Sequence, residues 1–387
     1  MNHSNVFDFE KIKKGEKENG GNSSSCRNYG IDLLKIVCMI MIPVIHILGH
    51  GGIIFNLPAF SLKYEVTWIL ECVVYCAVNC YALITGFLYY GRRFKYSNIL
   101  RLYCQVAFYG VLIFFFFYFK DPASVSRMDF VKAVFPFAYT DQYWYFTAYF
   151  YLFFTIPFLN KMIDRSTRKE ATVLVFSAFL LISVIPTFFQ QDAAGTNSGF
   201  SAFWLVIMYL FGVYIKKYDL VGKLKNSTCI LGYFACVALL WFSRCGMEYI
   251  TQHRLGYLAY NWIFFSYPSP LVVGAAVFLF LLFANLSVRK GLQKPIVFLA
   301  PLSFGVYLLH DNPLFRANFI TDKFQFLMDK SLPIMLISVI GLAVAIWLVG
   351  SMVDYLRTCI FKLLRLTKLC DWVTSKASKQ AQKIIGG

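Results

Sequence analysis

The stretch IDLLKIVCMIMIPVIHILG, residues 31–49, is apolar along almost its whole length and holds one acidic and one basic residue, Asp32 and Lys35. As an α-helix it is long enough to cross the hydrocarbon core of a bilayer, which is about 30 Å thick. A helix also satisfies its own backbone hydrogen bonds, as a chain in lipid must. The stretch therefore predicts a transmembrane helix.

Further apolar segments with the same character follow the first one along the chain. They are residues 66–90, 97–119, 143–160, 171–189, 201–215, 228–247, 261–286, 296–312 and 333–356. The uninterrupted apolar part of segment 296–312 is short, because the segment contains Pro301 and ends in the polar residues His310 and Asp311. About ten transmembrane helices are therefore predicted.

The composition agrees with this organisation. Of the 387 residues, 58% are hydrophobic and 15% are charged, whereas a soluble domain has about 25% charged residues. A soluble globular protein and a disordered chain are therefore excluded. We predict an all-α, polytopic membrane protein with a transmembrane domain over residues 31–356, between a polar cytosolic tail over 1–30 and a basic cytosolic tail over 357–387.

The net charge of +17 is explained by membrane topology. Most Lys and Arg side chains fall in the two tails and in the loops on the same side as the tails, which is the bias of cytosolic segments. We expect both termini in the cytosol and a multi-pass protein of the cell membrane. The apolar segments leave little surface for a nucleic acid, and the eleven Cys lack the spacing of a metal site. Neither a nucleic-acid partner, nor a metal, nor a bound cofactor is predicted.

Two ionisable residues of the first segment, Lys35 and His46, lie about three helical turns apart, so they share one stripe of the helix. Asp32 is one turn before Lys35 and can pair with it. Ionisable residues inside a membrane span are costly and often functional, and an imidazole suits general base catalysis because its pKa lies near neutral pH. In the alternative interpretation, Lys35 reaches the headgroups and His46 only donates a hydrogen bond to a neighbouring helix.

Other candidate residues lie on the predicted outer side. Glu71, near the outer end of the second span, either orients the His46 imidazole or is a carboxylate wetted at the interface. His310, at the end of the ninth span, supports the site or is structural. Trp144 and Tyr145 open the fourth span, where they form either a sugar-stacking platform or part of the interfacial aromatic belt.

The predicted cytosolic side between the second and third spans is basic, with Arg92, Arg93, Lys95 and, one turn inside the membrane, Arg101. Guanidinium donors suit phosphate groups. For the first three residues, ordinary cytosolic positive charge is the competing explanation.

Four segments, in chain order, carry a resemblance to the acyltransferase family 3 membrane proteins. They are Tyr29-Gly-Ile-Asp-Leu-Leu-Lys35 followed by His46 after ten intervening residues, Ala82-Leu-Ile-Thr-Gly-Phe-Leu88, Tyr143-Trp-Tyr-Phe146 up to Ile156-Pro-Phe158, and Ser303-Phe-Gly-Val-Tyr-Leu-Leu-His310. The resemblance runs over about residues 28–355. In place of the Arg-x-x-Arg motif of the family, this chain has either Asn98 and Arg101 or Arg92 and Lys95.

This resemblance implies a membrane O-acyltransferase that takes an acyl group, usually acetyl, from cytosolic acyl-CoA. The acceptor is a hydroxyl group of a cell-surface polysaccharide or a lipid-linked glycan. Lys35 and His46 match the family signature. On this hypothesis the CoA phosphates bind near Arg92, Arg93, Lys95 and Arg101, with Lys35 at the entry. His46 either acts as a general base or carries the acyl group, and Glu71 can orient it.

Two other classes of protein are alternatives. A proton-coupled transporter or flippase would use the same ionisable residues, but no repeated halves are visible in the sequence. A membrane glycosyltransferase or polymerase usually has large outer loops with clustered charge, whereas the predicted outer loops here are short and neutral in sum.

Overall fold

The computed structural model describes residues 27–259 and 263–385. The chain is 78% helix, and no strand occurs in the described ranges. The predicted all-α fold class is confirmed. Most of the predicted polar tail, residues 1–26, and part of the predicted span 261–286 lie outside the described residues.

The α-helices are numbered here in chain order. They are α1 (Tyr29–Leu48), α2 (Leu62–Val74), α3 (Ala77–Tyr89), α4 (Ser97–Lys120), α5 (Arg127–Val134), α6 (Trp144–Arg165), α7 (Arg168–Ala178), α8 (Ile185–Phe189), α9 (Ala202–Lys217), α10 (Asn226–Leu255), α11 (Pro270–Asn285), α12 (Lys290–Leu299), α13 (Ser303–His310), α14 (Pro313–Phe319), α15 (Leu332–Leu363) and α16 (Leu366–Ile385).

Seven helical stretches in the described part of the chain are long and apolar enough to cross a membrane. They are α1, α2 with α3, α4, the stretch Arg168–Phe189, α10, the stretch Lys290–His310 and α15. These seven correspond to seven of the ten predicted spans. The other three predicted spans contain α6, in which one Trp and three Tyr lower the hydropathy, and the shorter helices α9 and α11. The number of ten spans and the side on which the termini lie stay predictions.

One predicted boundary is wrong. The segment 261–286 was expected to be helical throughout, but α11 begins at Pro270 and the described residues before it form turns. Pro268 and Pro270 explain the late start, because proline lacks a backbone N–H and is best tolerated in the first turn of a helix.

Helix α1 lies at the centre of the bundle. It packs against α2, α3, α11, α12, α13 and α15, and 61% of its most apolar window is buried, against 22% for α15. The close packing begins at its N-terminus, where Asn28 accepts a hydrogen bond from the Ile31 N–H and donates one to the Ala284 carbonyl group. The residues of the predicted catalytic stripe are therefore surrounded by protein.

Helices α3 and α9 touch through glycine. A Cβ atom on Gly86 would lie 2.1 Å from the Tyr209 carbonyl oxygen, and one on Gly212 would lie 2.2 Å from the Leu83 carbonyl oxygen. Small residues allow this approach of two backbones, which is typical of helix packing in membranes.

The chain remains helical after the predicted transmembrane domain. Helix α15 continues to Leu363, and α16 covers most of the segment predicted as a basic tail. Cys370 of α16 is buried, whereas Leu369, Trp372 and Val373 are exposed.

Candidate active site

A narrow cavity of about 40 Å³ lies at the C-terminal half of α1. Its walls are apolar and aromatic, with two ionisable residues among them. It is lined by Met39, Ile42, Ile45, His46, Val78, Tyr81, Trp144, Tyr145, Tyr267, Phe304, Tyr307 and Asp311. Three of the residues predicted from sequence, His46, Trp144 and Tyr145, therefore meet in one place.

His46 points into this cavity and has a carboxylate partner. Its Nδ1 atom lies 3.7 Å from Oδ1 of Asp311, and the same oxygen accepts a hydrogen bond of 2.8 Å from Nη1 of Arg316. The distance of 3.7 Å is within ion-pair range but too long for a hydrogen bond, and Nδ1 has no hydrogen-bond partner among the described residues. Catalytic hydrogen bonds are often long without substrate and tighten when it binds.

A second histidine, His310, packs beside His46, with the ring centroids 5.0 Å apart. Nδ1 of His310 lies 2.6 Å from the Val306 carbonyl oxygen, and a carbonyl group only accepts, so Nδ1 carries the hydrogen. Its Nε2 atom is buried without a partner in the described part of the chain. His310 thus presents an unused acceptor behind His46.

A third histidine, His50, also packs beside His46, with its ring centroid 5.2 Å from that of His46. It follows the end of α1 and is exposed. Partial burial and the charge of Arg316 lower the pKa of His50 below its ordinary value, against the opposing effect of Asp311.

Glu71, the carboxylate expected beside His46, does not line the cavity. It is buried on α2, and its Oε2 atom has no hydrogen-bond partner within the described ranges. The helix is broken between α2 and α3 at Tyr75 and Cys76, so residues before and after the break do not continue one face. Asp311 takes the position beside His46 that sequence reasoning gave to Glu71.

At the other end of α1, the expected pair of Lys35 and Asp32 is present. Nζ of Lys35 lies 2.9 Å from Oδ1 of Asp32, and Nε of Arg27 lies 2.6 Å from Oδ2. The Tyr81 hydroxyl, which lines the cavity, donates a hydrogen bond of 2.6 Å to the Lys35 carbonyl oxygen. Tyr81 therefore bridges the level of the ion pair and the cavity around His46.

The four predicted phosphate-binding residues are not gathered into one pocket. Arg92, Arg93 and Lys95 are exposed in the loop after α3. Arg101 on α4 instead forms an ion pair with Asp371 of α16. The sequence could not show this contact, because the segment with Asp371 was interpreted as a tail.

A buried ionic network was missed by the sequence analysis. Arg244 on α10 is 1% exposed and forms ion pairs with Glu65 and Glu248, and its guanidinium group lies 4.8 Å from the Trp68 ring centroid. The Tyr64 hydroxyl donates a hydrogen bond of 2.6 Å to Glu248. The spacing of Arg244 and Glu248, one helical turn apart, was the available signal.

A second buried carboxylate, Asp354 on α15, was also missed. It accepts hydrogen bonds from Gln105, Tyr109 and Arg357 at 2.7–3.1 Å. It lies inside the predicted span 333–356, where a charged residue is costly. Because its acceptor oxygens are occupied by these donors, a structural role in joining α4 to α15 fits it best.

Comparison with known proteins gives one match. A family model described as an acyltransferase domain, that of the acyltransferase family 3, matches residues 28–356. The match covers α1 to most of α15 and includes every residue that lines the cavity. No curated protein and no solved structure matches the chain significantly.

Proposed function

The chain belongs to this acyltransferase family, and on that basis we propose that it is an O-acyltransferase of cell-surface glycans. The donor is cytosolic acyl-CoA, most simply acetyl-CoA, and the acceptor is a hydroxyl group of a surface polysaccharide or of a lipid-linked glycan. Its place of action is the cell membrane, which it crosses several times. The observation that carries the proposal is the His46 imidazole, which lines a mainly apolar cavity and lies 3.7 Å from the Asp311 carboxylate.

In the direct route, Nε2 of His46 takes the proton of the acceptor hydroxyl group while the hydroxyl oxygen attacks the thioester carbon of acyl-CoA. The C–S bond breaks, the ester forms, and the CoA thiolate leaves with the proton that the imidazolium returns. The Asp311 carboxylate near Nδ1 stabilises the imidazolium between the two proton transfers.

In the relay route, Nε2 of His46 attacks the thioester itself and holds the acyl group, and CoA leaves as a thiolate. The acceptor oxygen then takes the acyl group, and the hydroxyl proton neutralises the thiolate. Rapid quenching with radiolabelled acetyl-CoA distinguishes the two routes, because label bound to the protein that disappears in His46→Gln indicates the relay.

The donor side of the proposal rests on charge. Arg92, Arg93 and Lys95 are exposed near the start of α4 and suit CoA phosphates. Arg101 joins them if Asp371 of α16 gives way to the more highly charged phosphate groups. Lys35, paired with Asp32, lies near the N-terminus of the central helix that also carries His46.

The test is the ester content of surface glycans in cells that produce His46→Gln. We expect the mass shift of one acyl unit to be lost, and the ester in cells with the unchanged protein to be removable by mild alkali. His253→Gln is the matched control, since His253 is an exposed histidine on α10 that does not line the cavity. Normal glycan acylation by His46→Gln at equal protein level contradicts the proposal.

The same experiment separates the alternatives. The matching family is one of acyltransferases and not of transporters or glycosyltransferases, which favours the enzyme. A transporter would move its substrate without consuming acetyl-CoA, and a glycosyltransferase would change the number of sugar units and not the ester content.

A further inference from the structure

A second cavity, called here the outer cavity, has a volume of about 140 Å³. It is enclosed by α8, by the loop that follows α8 and by the residues just before α11. It is lined by Pro186, Thr187, Gln190, Gln191, Asp192, Thr196, Ser198, Ile263, Phe265, Ser266 and Pro268. Its walls thus combine two amides, a carboxylate and several hydroxyl groups with one aromatic ring.

The chemistry of the outer cavity differs from that of the cavity at His46. The first cavity is narrower and lined mainly by apolar and aromatic side chains, which suits the arm of a thioester but offers few hydrogen bonds. The outer cavity offers donors and acceptors at several points, as a polyhydroxylated ligand requires. Gln191 is exposed, and its side chain forms no hydrogen bond with the described residues, so its amide is free to bind a ligand.

The two cavities share a wall. Phe265, Ser266 and Pro268 line the outer cavity, whereas Tyr267 between them lines the cavity at His46. Asn79 fixes this wall from within, because its amide donates a hydrogen bond of 2.8 Å to the Tyr267 carbonyl oxygen.

A second contact joins the same two regions. Gly199, next to Ser198 of the outer cavity, approaches Tyr267 so closely that a Cβ atom on it would lie 2.4 Å from the Tyr267 Cβ atom. The next residue, Phe200, packs on Trp144 of the first cavity with the ring centroids 4.6 Å apart. A ligand in the outer cavity is therefore separated from the catalytic cavity by single layers of side chains.

The walls of the outer cavity are held by hydrogen bonds within the protein. The Asp192 carboxylate accepts bonds of 2.7 and 2.8 Å from the backbone N–H and the hydroxyl group of Thr196. The Gln190 amide donates a bond of 3.1 Å to the Ile263 carbonyl oxygen, which ties the loop after α8 to the segment before α11. Because these side chains are already held in place, a ligand loses little binding free energy to ordering them, which favours affinity.

We propose that the outer cavity binds one sugar unit of the acceptor glycan and so holds the glycan with a neighbouring sugar unit at the cavity of His46. This inference rests on the proposed function, because it names where the acceptor of that reaction binds. Phe265 supplies a face for the sugar ring, and Gln191, Ser198 and Ser266 supply hydrogen bonds to its hydroxyl groups.

The test measures acetyl transfer by purified protein from acetyl-CoA to glycan extracted from cells that produce only His46→Gln, at varied concentrations of each substrate. In Gln191→Trp the indole fills the outer cavity, so we expect the half-saturating glycan concentration to rise about tenfold or more while that of acetyl-CoA stays the same. Gln191→Ala and Ser266→Ala each remove one hydrogen-bonding group, and we expect about a two- to tenfold rise, the range of one hydrogen bond. Gln252→Trp is the matched control, since Gln252 on α10 does not line either cavity.

The two proposals fail in different ways. If the unchanged protein transfers acetyl groups and all three variants saturate with glycan as it does, the outer cavity is not the acceptor site and the proposed function stands. If the unchanged protein transfers no acetyl group to the glycan, the proposed function is wrong and the inference falls with it.

Discussion

At the residue scale, Asp311 has two partners. Its carboxylate lies between the His46 ring, at 3.7 Å, and the Arg316 guanidinium group, at 2.8 Å. A carboxylate at Nδ1 fixes the tautomer in which Nε2 is free to accept a proton, and it stabilises the imidazolium. On the proposed mechanism, Asp311 is a positioning residue that acts through His46.

We predict that Asp311→Asn lowers kcat for acyl transfer about 10²-fold, the lower end of what general base catalysis contributes. The amide has no charge, and its NH2 group can donate to Nδ1 and select the wrong tautomer. The half-saturating acetyl-CoA concentration should change little, since Asp311 does not touch the predicted donor site. The measurement is the rate of acetyl transfer by purified protein.

Asp322→Asn is the control for this change. Asp322 is exposed in the same region, has a positive φ that asparagine also tolerates, and accepts a hydrogen bond from Gln325. An unchanged kcat in Asp311→Asn would show that His46 does not depend on this carboxylate.

At the element scale, the crossing of α3 and α9 depends on glycine. The Gly86 and Gly212 positions leave no room for a Cβ atom against the facing backbone, and backbone atoms cannot move aside as the tip of a flexible side chain can. The crossing also carries Asn79, on α3, to its hydrogen bond with Tyr267. The position of Tyr267, which lines the cavity at His46, therefore depends on how α3 and α9 pack against each other.

We predict that Gly86→Ala destabilises the protein by about 1–3 kcal/mol, the usual cost of overpacking. Thermal unfolding in detergent is the measurement, and a lower midpoint is expected. Gly341→Ala on α15 is the matched control, because a Cβ atom there meets nothing within 4 Å. Equal midpoints for the two variants would contradict the close contact.

A second prediction at this scale concerns the docking of α16 on α4. The two helices pack together and Arg101 pairs with Asp371. The free thiol groups of Cys104, one turn after Arg101, and of Cys370, next to Asp371, flank this ion pair. We expect an oxidant to join Cys104 to Cys370 and expect Asp371→Asn to lower the yield, because the amide loses the charge that attracts Arg101. Mass spectrometry of the proteolysed protein measures the yield.

The exposed Cys359 is the internal control for this cross-link, since its thiol should form no disulfide with Cys104 or Cys370. A yield in Asp371→Asn equal to that of the unchanged protein would show that the ion pair does not hold α16.

The docking of α16 should also depend on pH. Hydrogen bonds from Ser97 and Arg101, with the Arg101 charge, lower the pKa of Asp371 in the docked helix. A lowered pKa means that Asp371 stabilises the docked helix. This stabilisation is fully present above the ordinary pKa of about 4 and is lost as the pH falls through the lowered value. Hydrogen exchange of α16, corrected for intrinsic rates, should therefore show full protection at pH 7 and less protection below about pH 4.

At the scale of the whole molecule, the orientation of the helices in the membrane decides which side each cavity faces. The distribution of basic residues predicts that both termini and the loop with Lys223 face the cytosol and that the loop with Ala194 faces outward. The loop with Ala194 borders the outer cavity, so the acceptor proposal requires this orientation.

We predict that an impermeant maleimide labels Ala194→Cys in intact cells, whereas Lys223→Cys is labelled only after the membrane is permeabilised. Both are made with Cys359→Ser, which removes an exposed thiol. The reverse labelling pattern would show that the topology is inverted. The outer cavity would then face the cytosol, where it could not bind a surface glycan.

Part of the site could be predicted from sequence because its signals are local. The stripe of Lys35 and His46 follows from helical periodicity within one segment, and the pair of Lys35 and Asp32 spans a single turn. Trp144 and Tyr145 were found because they open a segment next to the membrane interface. In contrast, Arg244 and Asp354 were missed although each lies inside a predicted span, since their buried partners come from other helices.

The sequence by itself determined the class of protein, the helical fold and the family, because hydropathy, periodicity and short motifs are properties of neighbouring residues. Only the tertiary structure decided which carboxylate lies beside His46, which acidic residue pairs with Arg101 and which loops enclose the outer cavity. These contacts join residues far apart in the chain, 270 positions in the case of Arg101 and Asp371. Such pairs are set by the way the helices pack around α1, and no local pattern in the sequence encodes that packing.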